Sequence, residues 1–200
     1  MSEFWVSILI GTGLGFGFGV LASYIAWLIN AHFIVPRVEF STQIAKRRFG
    51  QNVMQYQIAF KNVGLRSIVD LEIVVRIGVY KFMGATGWAY HEVKTNAGRV
   101  PDLKPGDSSR RLVRIFDTRH PIDFVDIPSK KIREELERHS TLESLLGIKE
   151  DAAVRVHVFG YDSFSGTRKL FQSKEYRSSD INEGRFDGLA ISADNRQYDE

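Results

Sequence analysis

The stretch IVDLEIVVRIGV, residues 68–79, decides the class of fold, because seven of its twelve residues are Val or Ile. Side chains branched at Cβ are stiff and pack well on a pleated surface, so they favour a strand over a helix. The segment KNVG at residues 61–64, just before the run, has the composition of a turn. Together these features predict one long strand of a β-sheet.

Shorter runs on both sides of this stretch have the character of strands. Residues 53–60 (VMQYQIAF) largely alternate apolar and polar side chains, as half-buried strands do. Further strands are predicted at residues 112–116, 153–161 and 168–176, with a turn at residues 105–107 (PGD). Strands at this spacing, separated by turns, predict a mainly β protein built as an antiparallel β-sandwich.

Residues 130–146 interrupt the strands with a helical pattern. Apolar side chains occur there among charges, at Ile132, Leu136, Leu142, Leu145 and Leu146. Ser140 and Glu143 are expected to form a capping box, and Gly147 stands where a helix ends. The pattern indicates a short helical insertion, of one helix or two, lying on the sandwich. A role in binding a partner is the alternative.

The first part of the chain has a different composition. Residues 4–35 contain no Asp, Glu, Lys or Arg, and a membrane helix needs roughly 20 apolar residues. A cleaved signal peptide is disfavoured because the start, MSEFW, has no basic residue and the apolar run is too long. The basic residues that follow the span place the carboxy-terminal domain in the cytoplasm; they are Arg37, Lys46, Arg47 and Arg48.

The predicted organisation has three parts. Residues 1–36 form a transmembrane helix, residues 37–190 a cytoplasmic β-sandwich, and residues 191–200 a polar tail. The predicted location is the inner (plasma) membrane, with a single pass. The chain has no cysteine, which excludes disulfides and thiolate chemistry, and its 27 basic and 24 acidic residues are too evenly balanced to indicate a nucleic-acid partner.

No catalytic or metal-binding constellation is recognisable in the sequence. The histidines lack metal-ligand spacing; they are His32, His91, His120, His139 and His157. Ser163 and Ser165 fit a hairpin turn better than a nucleophile. Glu134 and Glu135 are neighbours on a helix and do not face each other. Asp123 and Asp126 are typical of a solvated loop. We therefore expect no enzyme activity, no metal and no cofactor.

Five glycines alternate in the stretch GTGLGFGFG, at Gly11, Gly13, Gly15, Gly17 and Gly19. A phosphate loop is excluded, because the dinucleotide fingerprint would need glycine where Phe16 stands and no lysine precedes Lys46. The stretch also resembles a potassium-selectivity filter. A filter, however, is a loop held by a pore helix and two membrane helices, and this chain has one span.

On an α-helix the same glycines form two faces. Gly11, Gly15 and Gly19 line one face, and Gly13 and Gly17 line another that is turned by about 200°. Small residues let helices approach closely in lipid, where packing drives association. Two nearly opposite faces favour a ring or an array over an isolated dimer. An apolar anchor whose glycines have no partner is the alternative.

Three segments of the soluble part are similar to segments of the cytoplasmic domain of inward-rectifier potassium channels. The first is QIAFKNVGLRS at residues 57–67 with the strand that follows it, and the second is RHPID at residues 119–123. The third runs from Val154 to Tyr176 and continues to Asp180, Ile181, Gly184 and Phe186. The segments follow the family's order and cover most of residues 50–190. The chain departs from the family by lacking the outer helix, pore helix and filter, and by having IPSK at residues 127–130 in place of Ser-Pro-Leu.

The resemblance implies an immunoglobulin-like β-sandwich that assembles beneath the membrane, without potassium conduction. It also implies that basic residues just inside the membrane bind anionic lipid; these would be Arg37, Lys46, Arg47 and Arg48. Each such charge would be attracted to the inner leaflet by roughly 1 kcal/mol. A purely topogenic role of these residues is the alternative.

The leading functional hypothesis is a single-pass membrane protein that self-associates through its glycine-lined helix. Its cytoplasmic sandwich would sense or bind a ligand, lipid or protein, and the strongest form of the idea is a channel-like or membrane-perturbing homo-oligomer. The alternative is a passive membrane-anchored scaffold, or the subunit of a complex, that binds a protein partner through the sandwich. A third hypothesis places the sandwich outside the cytoplasm on a signal anchor.

Overall fold

The computed structural model describes residues 2–49, 53–95, 98–106, 110–117, 130–139 and 141–192. The chain divides into two compact units, Met1–Val35 and Pro36–Glu200. The first contains the apolar helix and the second the β structure. The predicted fold class, an N-terminal apolar helix followed by a mainly β domain with a short helical insertion, is confirmed.

Helix α1 (Ser2–Leu28) forms nearly all of the first unit. A π-helical turn, Ile29–Phe33, follows it directly and ends before Pro36, whose ring cannot continue a helix. The segment Phe4–Ala31 is the one helix of the described residues that is long and apolar enough to cross a membrane. At 1.5 Å per residue its 28 residues measure about 42 Å, more than the roughly 30 Å of a bilayer's hydrocarbon core.

The second unit contains two sheets of five strands each. The first sheet consists of β1 (Val38–Phe40), β2 (Ile44–Phe49), β3 (Val53–Asn62), β7 (Arg111–Asp117) and β10 (Ile181–Glu183). The second consists of β4 (Ile68–Tyr80), β5 (Trp88–Val93), β6 (Arg99–Leu103), β8 (Ala153–Asp162) and β9 (Arg168–Gln172). A separate hairpin is formed by β11 (Arg185–Asp187) and β12 (Ala190–Ser192).

Strand β4, which contains the stretch at residues 68–79, is the centre of the second sheet. It pairs antiparallel with β5, β6 and β8. Pairing is antiparallel throughout both sheets except between β2 and β10, which run parallel. The predicted strand at residues 168–176 ends at Gln172, and Tyr176 forms only an isolated bridge to Val154.

One apolar core lies between the two sheets. Ile58 and Val113 of the first sheet and Val75 and Val156 of the second are fully buried members of the same cluster. Alternate residues of each strand point into this cluster because side chains change faces at every step along a strand. The two sheets therefore form the predicted sandwich.

The helical insertion consists of two helices, α2 (Lys130–Glu137) and α3 (Leu142–Leu146). Four of the predicted apolar residues are buried in the core cluster, namely Leu136, Leu142, Leu145 and Leu146. This confirms that the insertion lies on the sandwich. Gly147 is the residue at which α3 ends, as predicted.

The predicted capping box of α3 is wrong by one residue. Thr141 is the N-cap, and its side chain accepts a hydrogen bond from the Ser144 backbone N–H at 3.0 Å. The Ser144 hydroxyl accepts in return from the Thr141 N–H at 3.2 Å. Glu143 is not part of the box, and its carboxylate binds the Lys46 ammonium group at 2.9 Å. Ser140 lies outside the described residues.

The hairpin formed by β11 and β12 covers part of the outer face of the first sheet. Phe186 of the hairpin is buried against Ala45 and Ala59, and Leu189 and Ile191 pack on the same cluster. Both faces of the first sheet are therefore partly covered, which explains why Gln55 and Gln57 are buried although they point away from the main core. Strand β12 ends at Ser192, two residues beyond the predicted boundary of the sandwich.

Candidate functional site

The glycines of the opening run all lie on α1. In each of the five, a side chain built onto the backbone would meet no atom within 4 Å. No contact among the described residues therefore requires glycine at these positions. Their neighbours on the helix are large and exposed, for example Leu14 and Phe16. The two glycine faces are thus shallow grooves between bulky apolar side chains.

The structure separates the four basic residues that were predicted to bind anionic lipid. Lys46, Arg47 and Arg48 follow one another in β2, so Arg47 points to the opposite face from the other two. Lys46 is engaged by Glu143 of α3, with only 18% of its side chain exposed. Arg48 and Arg37 are exposed. The three consecutive residues therefore do not form one basic surface.

Asn62, at the end of β3, organises the chain around Arg37. Its side-chain oxygen accepts from the Arg37 N–H at 3.3 Å and from the Gly64 N–H at 2.9 Å. Its side-chain amide donates to the carbonyl oxygens of Arg66, at 2.6 Å, and Leu103, at 3.1 Å. Asn62 is fully buried. One side chain thus joins the start of the sandwich to two of its loops.

Further hydrogen bonds complete this end of the sandwich. The Arg37 carbonyl accepts from the N–H groups of Val63, at 2.8 Å, and Gly64, at 3.3 Å. The Asn62 carbonyl accepts from Gly106, and the Ser67 carbonyl accepts from Ser163 in the next hairpin. We call the surface formed by Arg37 and residues 63–67, 104–106 and 163–167 the Asn62 end.

The turn at residues 163–167 joins β8 to β9. Phe164 donates its N–H to the Asp162 carboxylate at 2.9 Å, and the Arg66 guanidinium lies 4.2 Å from the centre of the Phe164 ring. Arg66 also pairs with Asp162 at 3.5 Å. Ser163 and Ser165 lie in this hairpin turn, as predicted from the sequence. The phenylalanine ring is therefore held in place although most of it is exposed.

Large apolar side chains are exposed at the Asn62 end. The exposed fractions are 47% for Val63, 69% for Leu65 and 73% for Phe164. The sequence suggested only a turn at residues 61–64, and it marked none of these three residues. The sequence feature that could have indicated this exposed cluster is the presence of Val and Leu inside a turn, where polar residues are usual.

A second exposed cluster lies on the outer face of the second sheet. Trp88 and Tyr90 of β5 stack with ring centres 6.0 Å apart, and Tyr80 of β4 packs on Trp88 at 5.6 Å. The Tyr90 ring covers Gly78, where an added Cβ would lie 2.9 Å from it. Only glycine allows this close approach of a ring to the strand.

The described histidines are separate from one another. His91 of β5 and His157 of β8 are buried, and His139 is half-buried beyond α2. Burial lowers the pKa of His91 below its ordinary value. His120, Asp123 and Asp126 lie outside the described residues. Among the residues that the structure describes, no three His, Cys, Asp or Glu side chains are placed to hold a metal ion.

His157 predicts a pH dependence of stability. Burial lowers the pKa of this imidazole, and the nearby positive charges of Arg76 and Arg155 lower it further. In the unfolded chain it binds a proton near its ordinary pKa of 6.5, whereas the folded protein resists protonation. The unfolded state therefore binds more protons below that pH, and the free energy of unfolding should fall as the pH is lowered from 7 towards 5.

Chemical unfolding of the full-length protein at a series of pH values measures this effect. Between pH 7 and pH 5, we expect the free energy of unfolding of His157→Gln to fall less than that of the wild type. The fall that is due to His91 should remain. An unchanged slope would show that His157 is not a source of the effect.

No protein-family model matches the chain, and no curated protein matches it. A solved structure, the sporulation control protein Spo0M from Bacillus subtilis, aligns with 14% identity and a TM-score of 0.30. The alignment covers 74% of this chain and 49% of Spo0M, so the chain spans about half the length of that protein.

Proposed function

We propose that the protein is a single-pass protein of the inner membrane that self-associates through α1 and carries a cytoplasmic sensing or binding domain. The main supporting observation is that α1 has no charged residue after Glu3 and carries two glycine faces that no residue of the described chain fills. Helices without a hydrophobic driving force between them associate where small residues allow close backbone contact. The glycine faces meet that requirement on two sides of one helix.

Two further observations support the orientation and the role of the sandwich. The charge-free span is followed by Arg37 and the basic part of β2, which favours a cytoplasmic domain. The resemblance of the segments at residues 57–67 and 154–186 to inward-rectifier channels supports a domain that assembles beneath a membrane. In its strongest form, the proposal is a channel-like or membrane-perturbing assembly.

Isoleucine substitutions on each glycine face test the proposal. We expect the wild-type protein to form assemblies larger than a dimer in mild detergent, because each helix has two contact faces. Gly15→Ile and Gly17→Ile should each reduce the assembly to a dimer if like faces pair, or to a monomer if each face meets the other face of its neighbour, and the double variant should be monomeric in both cases. Light scattering coupled to size-exclusion chromatography, corrected for bound detergent, measures the mass.

Leu14→Ile is the matched control. At 100° per residue, residue 14 lies between the two glycine faces, and leucine and isoleucine have the same volume. It should assemble like the wild type. Isoleucine is a better helix former than glycine, so loss of assembly in the variants would not reflect loss of the helix. A monomeric wild type, or a double variant that still assembles, would contradict the proposal.

The alternative function is a passive anchor whose sandwich binds a protein partner. The observation that favours it is the exposed cluster of Tyr80, Trp88 and Tyr90, because aromatic side chains are enriched at protein interfaces. A monomeric wild-type protein in the experiment above would favour this alternative.

A further inference from the structure

We propose that the Asn62 end is a membrane-contacting surface whose apolar side chains, Val63, Leu65 and Phe164, insert into the lipid interface beside the anchor. This inference rests on the membrane-anchored part of the proposed function and is independent of self-association. The partner it requires is a lipid surface.

The first argument is the position of the tether. The helical segment ends at Phe33, and Arg37 follows four residues later. A chain advances at most about 3.6 Å per residue, so four residues reach about 14 Å. Arg37 is hydrogen-bonded to Asn62, Val63 and Gly64. An inserted helix would therefore hold the Asn62 end close to the bilayer surface, whatever the angle between the two units.

The second argument is the chemistry of the surface. Three large apolar side chains, each about half exposed or more, project from loops that are fixed by hydrogen bonds. Residues 63–67, 104–106 and 163–167 contain no Asp or Glu, and Asp107 follows the second of these ranges in the chain. Asp162, which precedes the last loop, is 2% exposed and paired with Arg66. Arg37 and Lys104 are exposed at the same end. Apolar tips among basic residues are suited to a lipid interface with negative charge.

The third argument concerns what contacts the Asn62 end, lipid or protein. The membrane helix is covalently continuous with this surface, so an inserted helix gives the bilayer a high effective concentration at the surface without any strong intrinsic affinity. Three side chains offer too small an area for a stable protein interface, which usually involves about 20–30 residues on each side. Lipid therefore fits the Asn62 end better than a second copy of the chain does.

Site-specific labelling tests the inference, and the absence of cysteine makes single labels straightforward. Leu65→Cys in the full-length protein is labelled with an environment-sensitive fluorophore after reconstitution into vesicles containing phosphatidylserine. Met83→Cys is the matched control, because Met83 is 49% exposed and follows the far end of β4. Twelve steps of β4 separate the two ends by about 40 Å.

We expect a nitroxide carried on lipid to quench the label at residue 65 strongly and the label at residue 83 hardly at all. Iodide in the water should quench the label at residue 83 strongly and the label at residue 65 weakly. In a Val63→Ser, Phe164→Ser background, lipid quenching at residue 65 should fall towards the Met83 level. Quenching of the Leu65 label by iodide and not by lipid would overturn the inference. A label shielded from both quenchers would also overturn it, since protein would then cover the surface.

Flotation of the same vesicles separates this inference from the proposed function. Protein that floats with the vesicles and resists carbonate extraction is anchored, so a failed quenching result would then overturn the contact surface alone. Protein that does not float would overturn the anchor and the contact surface together.

Discussion

Replacing Asn62 with leucine should destabilise the sandwich by about 3–5 kcal/mol, because the buried backbone groups it satisfies cost roughly 1–3 kcal/mol each when left without a partner. Leucine has the same number of side-chain heavy atoms and the same branch point but no polar atom. The variant would remove the side-chain partner of the Arg37 and Gly64 N–H groups and of the Arg66 and Leu103 carbonyls, while the Arg37 carbonyl would keep its bonds to Val63 and Gly64. The free energy of unfolding of a small domain is about 5–15 kcal/mol, so this loss would be a large fraction of the total. Chemical unfolding of the full-length protein in detergent measures it.

The matched control is Asn182→Leu. Asn182 lies on β10 and makes a single long contact, 3.5 Å from its side-chain amide to the Asp180 carbonyl. We expect a change within about 0.5 kcal/mol there, as for ordinary surface substitutions. Equal destabilisation by the two variants would show that the network around Asn62 does not carry the stability assigned to it.

Asn62→Asp separates the two halves of the network. The aspartate oxygen still accepts from Arg37 and Gly64, but an ionised carboxylate cannot donate to the carbonyls of Arg66 and Leu103. Protonation restores one donor. We therefore expect the stability difference between this variant and the wild type to shrink as the pH is lowered, and a difference that does not depend on pH would contradict this assignment.

Replacing Gly160 with valine should cost about 3 kcal/mol, the upper part of the usual range for overfilling a core. Gly160 lies in β8 beside the irregularity of β4, where the register shifts between Val69 and Glu72 and Asp70 has φ of 50°. An added Cβ would lie 2.4 Å from Cγ2 of Ile68, 3.4 Å from the Val69 carbonyl oxygen and 3.5 Å from Leu71. The bulge therefore brings side chains of β4 into the space that a side chain at residue 160 would need.

Gly87→Ala is the control for this prediction, since an added Cβ at residue 87 meets nothing within 4 Å. We expect its free energy of unfolding to stay within about 0.5 kcal/mol of the wild type. Ile68→Ala should remove part of the steric clash in Gly160→Val. The destabilisation of the double variant should therefore be smaller than the sum of the destabilisations of the two single variants. Additive effects would show that the two residues do not compete for the same space.

The strands with the strongest local pattern were predictable and those without it were not. β4 and β8 were recognised because they carry long runs of β-branched residues. β1, β2, β5, β6, β10 and the hairpin of β11 and β12 were missed. These are short or rich in charge, as in the KRR of β2, and pairing with a neighbouring strand forms them more than their own composition does.

The α3 cap shows how a local motif can be misplaced by one residue. Ser140 and Glu143 have the spacing of a capping box, and so do Thr141 and Ser144. The structure uses the second pair, and the carboxylate of Glu143 binds Lys46, which is 97 residues away in the chain. The spacing rule fits both pairs, so it does not decide between them.

The sequence by itself determined the division of this protein into an apolar helix and a β-sandwich. Both follow from the local order of apolar and polar residues, which sets the period of each element and the length of the helix. Only the tertiary structure decided that Asn62 ties Arg37 to the loops and that Val63, Leu65 and Phe164 are exposed together. It also separated Lys46 from Arg47. The physical reason is that strand pairing and packing bring residues together from distant parts of the chain, and no local pattern records which ones meet.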